Sequence, residues 1–578
     1  MHSAALALLV ILVLWHSQDV LAAVRECGDN FLIPGYVGFA AVLIAVSVFA
    51  VVMLRSARIG FSLMLSILIF IMGAANVYVF KGLSAPDEIS HYISAYKLSN
   101  RMLGEPVCDE YGRVYVRACD LYLEDTDNKL DEVMANADAG KSTDVVLKVF
   151  GQTLDESVYR VYAEGTTADP RSAEDTHISC QWSVNTTPLA YIPQATGISI
   201  ARILGLNSLW LITLGKLCNL IFFTLMCALT LWLMPRAKEI MAAVMLIPET
   251  LHLAGSMSYD VFVMACSFVY IALIADIAEH GYSKARIASA VLIIGALAPC
   301  KLIYSLLLML LLVLIHKRTA SEPEFDAKHD NCTESKVAVK GSVECNESES
   351  MPAAKKQYTG SGKCFMPRDS RKGFIILAVL SIIAVALSMY AVNAGTIGDY
   401  AAADERIISW AEATQGYTVS YLLHRPSELI DICYRSVLMK TGNWFATMFG
   451  LYLGNQDPVL NVPYPVIGLY AAGLFLIAAG SELKLGGFAK TVCIATFAAV
   501  LAALMGSMLI AYTPMSSAYI EGVQGRYLLP VLPVLLMSIP GSWIKLKAGT
   551  DKNMLILFII AECYVLIRVY ATVAMRIG

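Results

Sequence analysis

The sequence predicts an all-α polytopic membrane protein with roughly 11–13 transmembrane helices and a long first outer loop. Three observations carry this. Of the 578 residues, 57% are hydrophobic and only 16% are charged, with a mean hydropathy of +0.61. Apolar runs of spanning length recur along most of the chain. Polar segments are confined to three long loops. This composition excludes a soluble globular domain and a disordered chain. A net charge of −4 and a pI near 6.2 leave no nucleic-acid footprint. The lipid bilayer is therefore the first partner.

Residues 1–23 read equally as a signal peptide or as a first transmembrane helix. Leu6 to Leu14 is apolar and Leu21-Ala22-Ala23 resembles a cleavage site, but no Lys or Arg precedes Arg25. Within 24–80, the runs 32–54 and 60–80 are spans. Residues 81–207 form an outer loop with an acidic motif and an interfacial helix, the latter from the amphipathic segment 188–205. Residues 208–315 supply the spans 208–234, 240–256 and 257–278. They also supply the run 287–315, which Ala298-Pro299-Cys300-Lys301 breaks into two short antiparallel segments. Residues 316–372, rich in Ser, Glu and Lys, read as a disordered cytoplasmic insert. A span at 373–393 precedes an outer loop, 394–464, with Trp410, Trp444 and an amphipathic stretch from Tyr417 to Lys440. Residues 465–578 hold the remaining spans at 465–480, 490–513, 527–545 and 552–574.

Lys and Arg set the orientation. Arg55, Arg58, Arg236, Lys238, Lys284, Arg286, Lys317, Arg371 and Lys545 all fall inside when 81–187, 394–464 and 514–526 lie outside. Four of the 14 cysteines, Cys27, Cys108, Cys119 and Cys180, then map outside, where one or two disulfides of undetermined pairing can form. Cys332, Cys345 and Cys364 of the insert lack zinc-site spacing.

Four motifs carry the chemistry. In Ser84-Ala85-Pro86-Asp87-Glu88-Ile89-Ser90-His91, a helix starting at the motif runs to Leu103 and stops at Gly104. It places Asp87 and His91 on one face with Glu88 adjacent. Two carboxylates and an imidazole can hold a divalent cation, Mg or Mn, or take a proton from a hydroxyl. The plainer reading is a helix start capped by Ser84 and Asp87. Asp260, in Met257-Ser258-Tyr259-Asp260, is an acid at an outer turn, either functional or an ordinary turn residue. Lys301, with Tyr304, either snorkels or contacts a lipid phosphate. In Glu521-Gly522-Val523-Gln524-Gly525-Arg526-Tyr527, Arg526 is suited to forked phosphate binding; its plainer role is a surface pair with Glu521.

Pro86-Asp87-Glu88 with His91, Ala95-Tyr96 and Leu98-Ser99, then Ser258-Tyr259-Asp260, Lys301 with Tyr304, and Gly522 to Tyr527 before Leu529-Pro530 follow one another in a set order. In that order they resemble the bacterial domain of unknown function 2142 family. His424 with Pro426, and Met448-Phe449-Gly450, resemble a segment between them. The similarity runs from about 60 to 545, and the insert 316–372 departs from it. The family is grouped with the GT-C glycosyltransferases. The resemblance therefore implies a GT-C-like fold in the plasma membrane with an active site facing outside. The implied reaction moves a sugar from a polyprenyl-phosphate donor to a cell-envelope glycan, lipid or protein acceptor. Asp87 and Glu88 would be catalytic. Asp260, Lys301, Tyr304, Gln524 and Arg526 would bind substrate, and Asp87, Glu88 and His91 would hold any metal ion. The alternatives are a transporter or flippase of lipid-linked sugars and a non-catalytic envelope-assembly scaffold. Only Lys216 and Glu562 lie near span centres, and this scarcity of mid-span charges favours the enzyme.

Overall fold

The computed structural model describes residues 2–55, 60–120, 154, 176–179, 183–184, 186–316, 370–402, 407–408, 414–541, 544–547 and 549–577. Among these, eight helices are long and apolar enough to cross a membrane, and strands are confined to two short pairs. The chain is an all-α polytopic membrane protein.

Helices α1 (His2–Cys27), α2 (Leu32–Arg55) and α3 (Phe61–Val79) open the chain. The first packs on the C-terminal helix, where His2 Nε2 and Asn553 Oδ1 are 2.9 Å apart. Helix α4 (Glu88–Leu103) ends as its sequence predicts, with Gly104 at φ 73 and its N–H returned to Asn100 O. α4 is polar yet almost wholly buried. Burial of that kind requires partners for every polar group. Tyr96 donates to Asp120 at 2.8 Å, the Ser94 Oγ accepts from Val184 N at 2.8 Å, and Asn100 Nδ2 donates to Tyr115 O at 2.8 Å. The amphipathic segment follows as a 3₁₀ turn (Pro188–Tyr191) and α5 (Ile192–Ile203). Its Arg202 fastens it to α4 through Ser99 Oγ at 3.0 Å and Asn100 Oδ1 at 2.7 Å. Among the described residues, the loop between α4 and α5 holds one antiparallel strand pair, Tyr115–Arg117 with Thr176–Ile178.

Helix α6 (Ser208–Leu233) and helix α9 (Asp260–His280) form the centre. α9 is buried nearly all round, as expected of an evenly apolar helix. The run 240–256 is not one helix. Pro248 divides it into α7 (Lys238–Met245) and α8 (Pro248–Ala254), both deeply buried. The broken run 287–315 is a hairpin, as expected. α10 (Lys284–Leu297) returns toward the start of α9, where Lys301 meets Asp260. A 3₁₀ stretch (Leu302–Leu310) and α11 (Leu311–His316) then travel back, so that Val313 faces the far half of α9.

Helix α12 (Ser370–Ala402) extends beyond the expected 393. The segment 414–464 is largely helical, with α13 (Val419–His424) and α14 (Pro426–Met448). Trp444 is buried, whereas Ile430, Tyr434, Leu438 and Met439 are exposed, as befits a helix lying against lipid. α15 (Tyr464–Gly480) and α16 (Gly487–Ala511) follow. The run 527–545 differs most from expectation. Pro530, Pro533 and Pro540 limit it to a 3₁₀ turn (Gly525–Leu528) and α17 (Leu532–Ser538). α18 (Thr550–Ile577) closes the chain against α1 and α2. Cys27, Cys108 and Cys119 are free thiols; Cys180, Trp410 and the insert's Cys332, Cys345 and Cys364 lie outside the described residues.

Candidate functional site

The four motifs, separated by up to 439 residues, meet at one end of the helical core. Asp87 is the residue before α4 and carries the left-handed backbone φ 58, ψ 18. Asp and Asn tolerate that conformation better than other non-glycine residues, and such outliers concentrate at functional sites. Its carboxylate makes no capping hydrogen bond. It instead accepts from Arg526 Nη2 at 3.0 Å, with the Asp87 side chain 45% exposed and that of Arg526 only 4%. The capping reading of Ser84 and Asp87 therefore fails, because Ser84 Oγ is buried without a partner. The Glu521–Arg526 pair does not form either; Glu521 accepts from Ser517 Oγ at 3.3 Å.

Two glycines deliver Arg526. Gly522 sits at φ 78. At Gly525, a Cβ would come within 2.0 Å of Trp444 O, so only glycine lets this turn lie against α14. Arg526 Nη2 also donates to Tyr527 Oη at 3.1 Å. Its Nε stands 3.7 Å from Asp260 Oδ2, beyond hydrogen-bond range. Nε and Nη1 are buried with no hydrogen-bond partner among the described residues. Gln524 is half-buried and supplies its carbonyl to Tyr527 N at 3.2 Å.

Asp260 opens α9 and binds Lys301 Nζ at 2.5 Å, so Lys301 does not merely snorkel. The ammonium lies 4.3 Å from the Tyr527 ring centre and 4.9 Å from that of Tyr259, a partial aromatic cage. Tyr304 Oη donates to Tyr527 O at 2.7 Å and fixes the Arg526 turn to the Lys301 hairpin.

Glu88 faces the other way. Its Oε2 accepts from Ala85 N at 2.6 Å, its Oε1 from Met257 N at 2.8 Å, and Lys216 Nζ lies 3.0 Å from Oε1. Lys216 also donates to Phe80 O at 3.1 Å. Both side chains are buried. Glu88 thus ties the Asp87 loop to the loop before Asp260. His91 is buried as well. Its Nδ1 shares a 2.8 Å hydrogen bond with Tyr191 Oη, and its ring meets Tyr259 edge-on at 4.9 Å. Burial pushes its pKa down to about 4, so the imidazole is neutral at pH 7. Asp87, Glu88 and His91 consequently do not converge. Among the described residues no three His, Cys, Asp or Glu side chains are placed to hold a metal ion. The divalent-ion expectation does not fit these residues, and no step is routed through one.

A family model described as a predicted membrane protein (DUF2142) matches residues 70–535. The chain belongs to this family. That match spans all four motifs of the site, from Asp87 to Arg526. No curated protein and no solved structure matches the chain.

Sequence reasoning missed several residues of this DUF2142 site. Tyr259 and Tyr527 adjoin Asp260 and Arg526 in sequence, and an aromatic beside a buried charge was the available signal. Lys216 stood out as a lone cation in an apolar helix, but nothing local linked it to Glu88. Glu249, buried with Oε2 unpartnered and close in charge terms to Arg526, was hidden in an otherwise apolar run.

Proposed function

We propose that this DUF2142 protein is a GT-C-type membrane glycosyltransferase. It moves a sugar from a polyprenyl-phosphate donor to a cell-envelope glycan, lipid or protein acceptor on the outer face of the plasma membrane. The observation that carries the reading is Arg526: a buried guanidinium with two nitrogens, Nε and Nη1, that have no hydrogen-bond partner among the described residues, next to the caged ammonium of Lys301. Leaving such donors unmet is costly, and a planar fork suits a phosphate. The cluster of Asp87, Asp260, Lys301 and Arg526 has no net charge. Anion binding therefore draws on these orphan donors and on exchange of the half-exposed Asp87 away from Arg526.

In the proposed reaction an acceptor hydroxyl oxygen attacks the sugar's anomeric carbon. The bond from that carbon to the phosphate oxygen breaks, and polyprenyl phosphate leaves with the electron pair. Asp87, freed by the incoming phosphate, takes the hydroxyl proton. Arg526 and Lys301 stabilise the charge growing on the leaving phosphate. Asp260 holds Lys301, Tyr304 holds the turn, and Gln524 lies beside the sugar. Glu88 and His91 position these groups rather than react.

A transporter of lipid-linked sugars is the second reading, favoured by the buried Glu562, whose Oε2 has no hydrogen-bond partner. Lys216, also buried inside the bundle, is tied to Glu88 and is not free to line a path.

Binding of a labelled polyprenyl-phosphate sugar tests the assignment of Arg526. Arg526→Lys keeps the charge but loses the fork, and donor binding weakens without unfolding. Arg526→Ala is worse, by about ten- to a hundred-fold in transfer rate, the equivalent of a charge-assisted bond. Wild-type donor binding and transfer in Arg526→Ala would remove the residue from the site.

A further inference from the structure

The end of α9 opposite the candidate site is hollow. At 1.5 Å per residue the 21 residues of α9 separate the two ends by about 30 Å. There, a chamber of about 570 Å³ lies between the far half of α9 and helices α11, α16 and α17. Its walls are apolar, with Ile274, Ala275, Ala278, Val313, Ala489 and Met537 among them. That volume is typical of a pocket for a small molecule or lipid segment.

The chamber adjoins a second cavity of different chemistry. A charged vestibule of about 380 Å³ shares Met234, Pro235, Arg236 and Glu279 with it and adds Lys238, Asp276, His280 and Arg286. Lys484 stands at the chamber's own rim. Across the two cavities four Lys or Arg side chains oppose two acids. Glu279 is held by Arg236 at 2.6 Å, and Asp276 by Arg286 and His280. Both acids are thus already neutralised, and Lys238 and Lys484 make up the excess positive charge.

We propose that this paired cavity binds an anionic phospholipid, with an acyl chain in the apolar chamber and its phosphate headgroup in the basic vestibule. An apolar space opening directly onto a net-positive one matches an amphipathic anion and no purely apolar or purely polar ligand. Basic pockets between spanning helices, on the side rich in Lys and Arg, are suited to anionic headgroups. The Lys and Arg distribution gives this end that character. The proposal depends neither on the transfer reaction nor on Asp87 or Arg526.

The test is native mass spectrometry of the full-length protein, delipidated and then titrated with phosphatidylglycerol or with phosphatidylcholine of the same chains. The wild type retains one phosphatidylglycerol in preference to phosphatidylcholine. Lys238→Gln and Lys484→Gln each lower phosphatidylglycerol retention about five-fold while leaving phosphatidylcholine unchanged, as expected for loss of one cation near a headgroup. Ala275→Phe fills the chamber and lowers retention of both lipids. Equal retention of the two lipids by the wild type would overturn the proposal. Wild-type phosphatidylglycerol retention in both lysine variants, which do not depend on the chamber substitution folding, would overturn it as well.

Discussion

Asp87 and Glu88 are neighbours in sequence and opposites in structure. Glu88 is fully buried, bound by two backbone amides and paired with Lys216. Asp87 is nearly half exposed and held by one guanidinium that still has unpartnered donors. The first arrangement leaves nothing to react and everything to hold; the second can be exchanged for an incoming anion. A turn of one residue at the start of α4, made possible by the left-handed backbone at Asp87, separates a fastening from a site.

The comparison predicts its largest effect at the fastening. Lys216→Met leaves a charged carboxylate buried without its cation and should cost about 3–5 kcal/mol. Thermal unfolding in detergent measures this, and adding Glu88→Gln to Lys216→Met should restore part of the loss. Near-normal stability of Lys216→Met would mean that Glu88 is not the anchor described.

At the exchangeable partner the expectation is reversed. Asp87→Asn keeps a residue that tolerates the left-handed backbone and removes a pair exposed on one side, so stability should change by less than about 1 kcal/mol. Sugar transfer should nevertheless be lost, because the amide cannot take the acceptor's proton. Retained transfer in this variant would reduce Asp87 to a partner of Arg526.

The smallest effect concerns His91, buried between Tyr191 and Tyr259 and near the charges of Asp87 and Asp260. Its folded pKa of about 4 lies below its ordinary 6.5. Between these values the unfolded chain binds a proton that the folded one does not. His91's contribution to stability is therefore complete above pH 6.5 and is lost as pH falls toward 4. In His91→Asn the fall in melting temperature across that window should be shallower than in the wild type. Parallel curves would show that another group controls the acid response.

What was legible in the sequence follows the range of the interactions. The end of α4 at Gly104 and the hairpin turn at Pro299 were legible because glycine and proline act locally. The motifs around Asp87, Asp260, Lys301 and Arg526 were legible as polar islands at the ends of apolar runs. Their pairing was not. The plainer alternative for Arg526 pairs it with Glu521, five residues away, yet the structure joins it to Asp87, 439 residues earlier. The roles of Asp87 and Glu88 could not be separated by type, since either carboxylate suits either position. Only the direction of the chain at φ 58 decides which one turns inward. Hydropathy alone makes spans of the runs 240–256 and 527–545, because it does not register where Pro248 and Pro533 break the helix.

The most direct test of the account is release of polyprenyl phosphate from a labelled polyprenyl-phosphate sugar by purified protein in lipid nanodiscs, at equal protein levels. The account predicts release by the wild type and its loss in both Asp87→Asn and Arg526→Ala, with the glycolipid left intact. Release at the wild-type rate by both variants, or none from the wild type with any such donor, would contradict it.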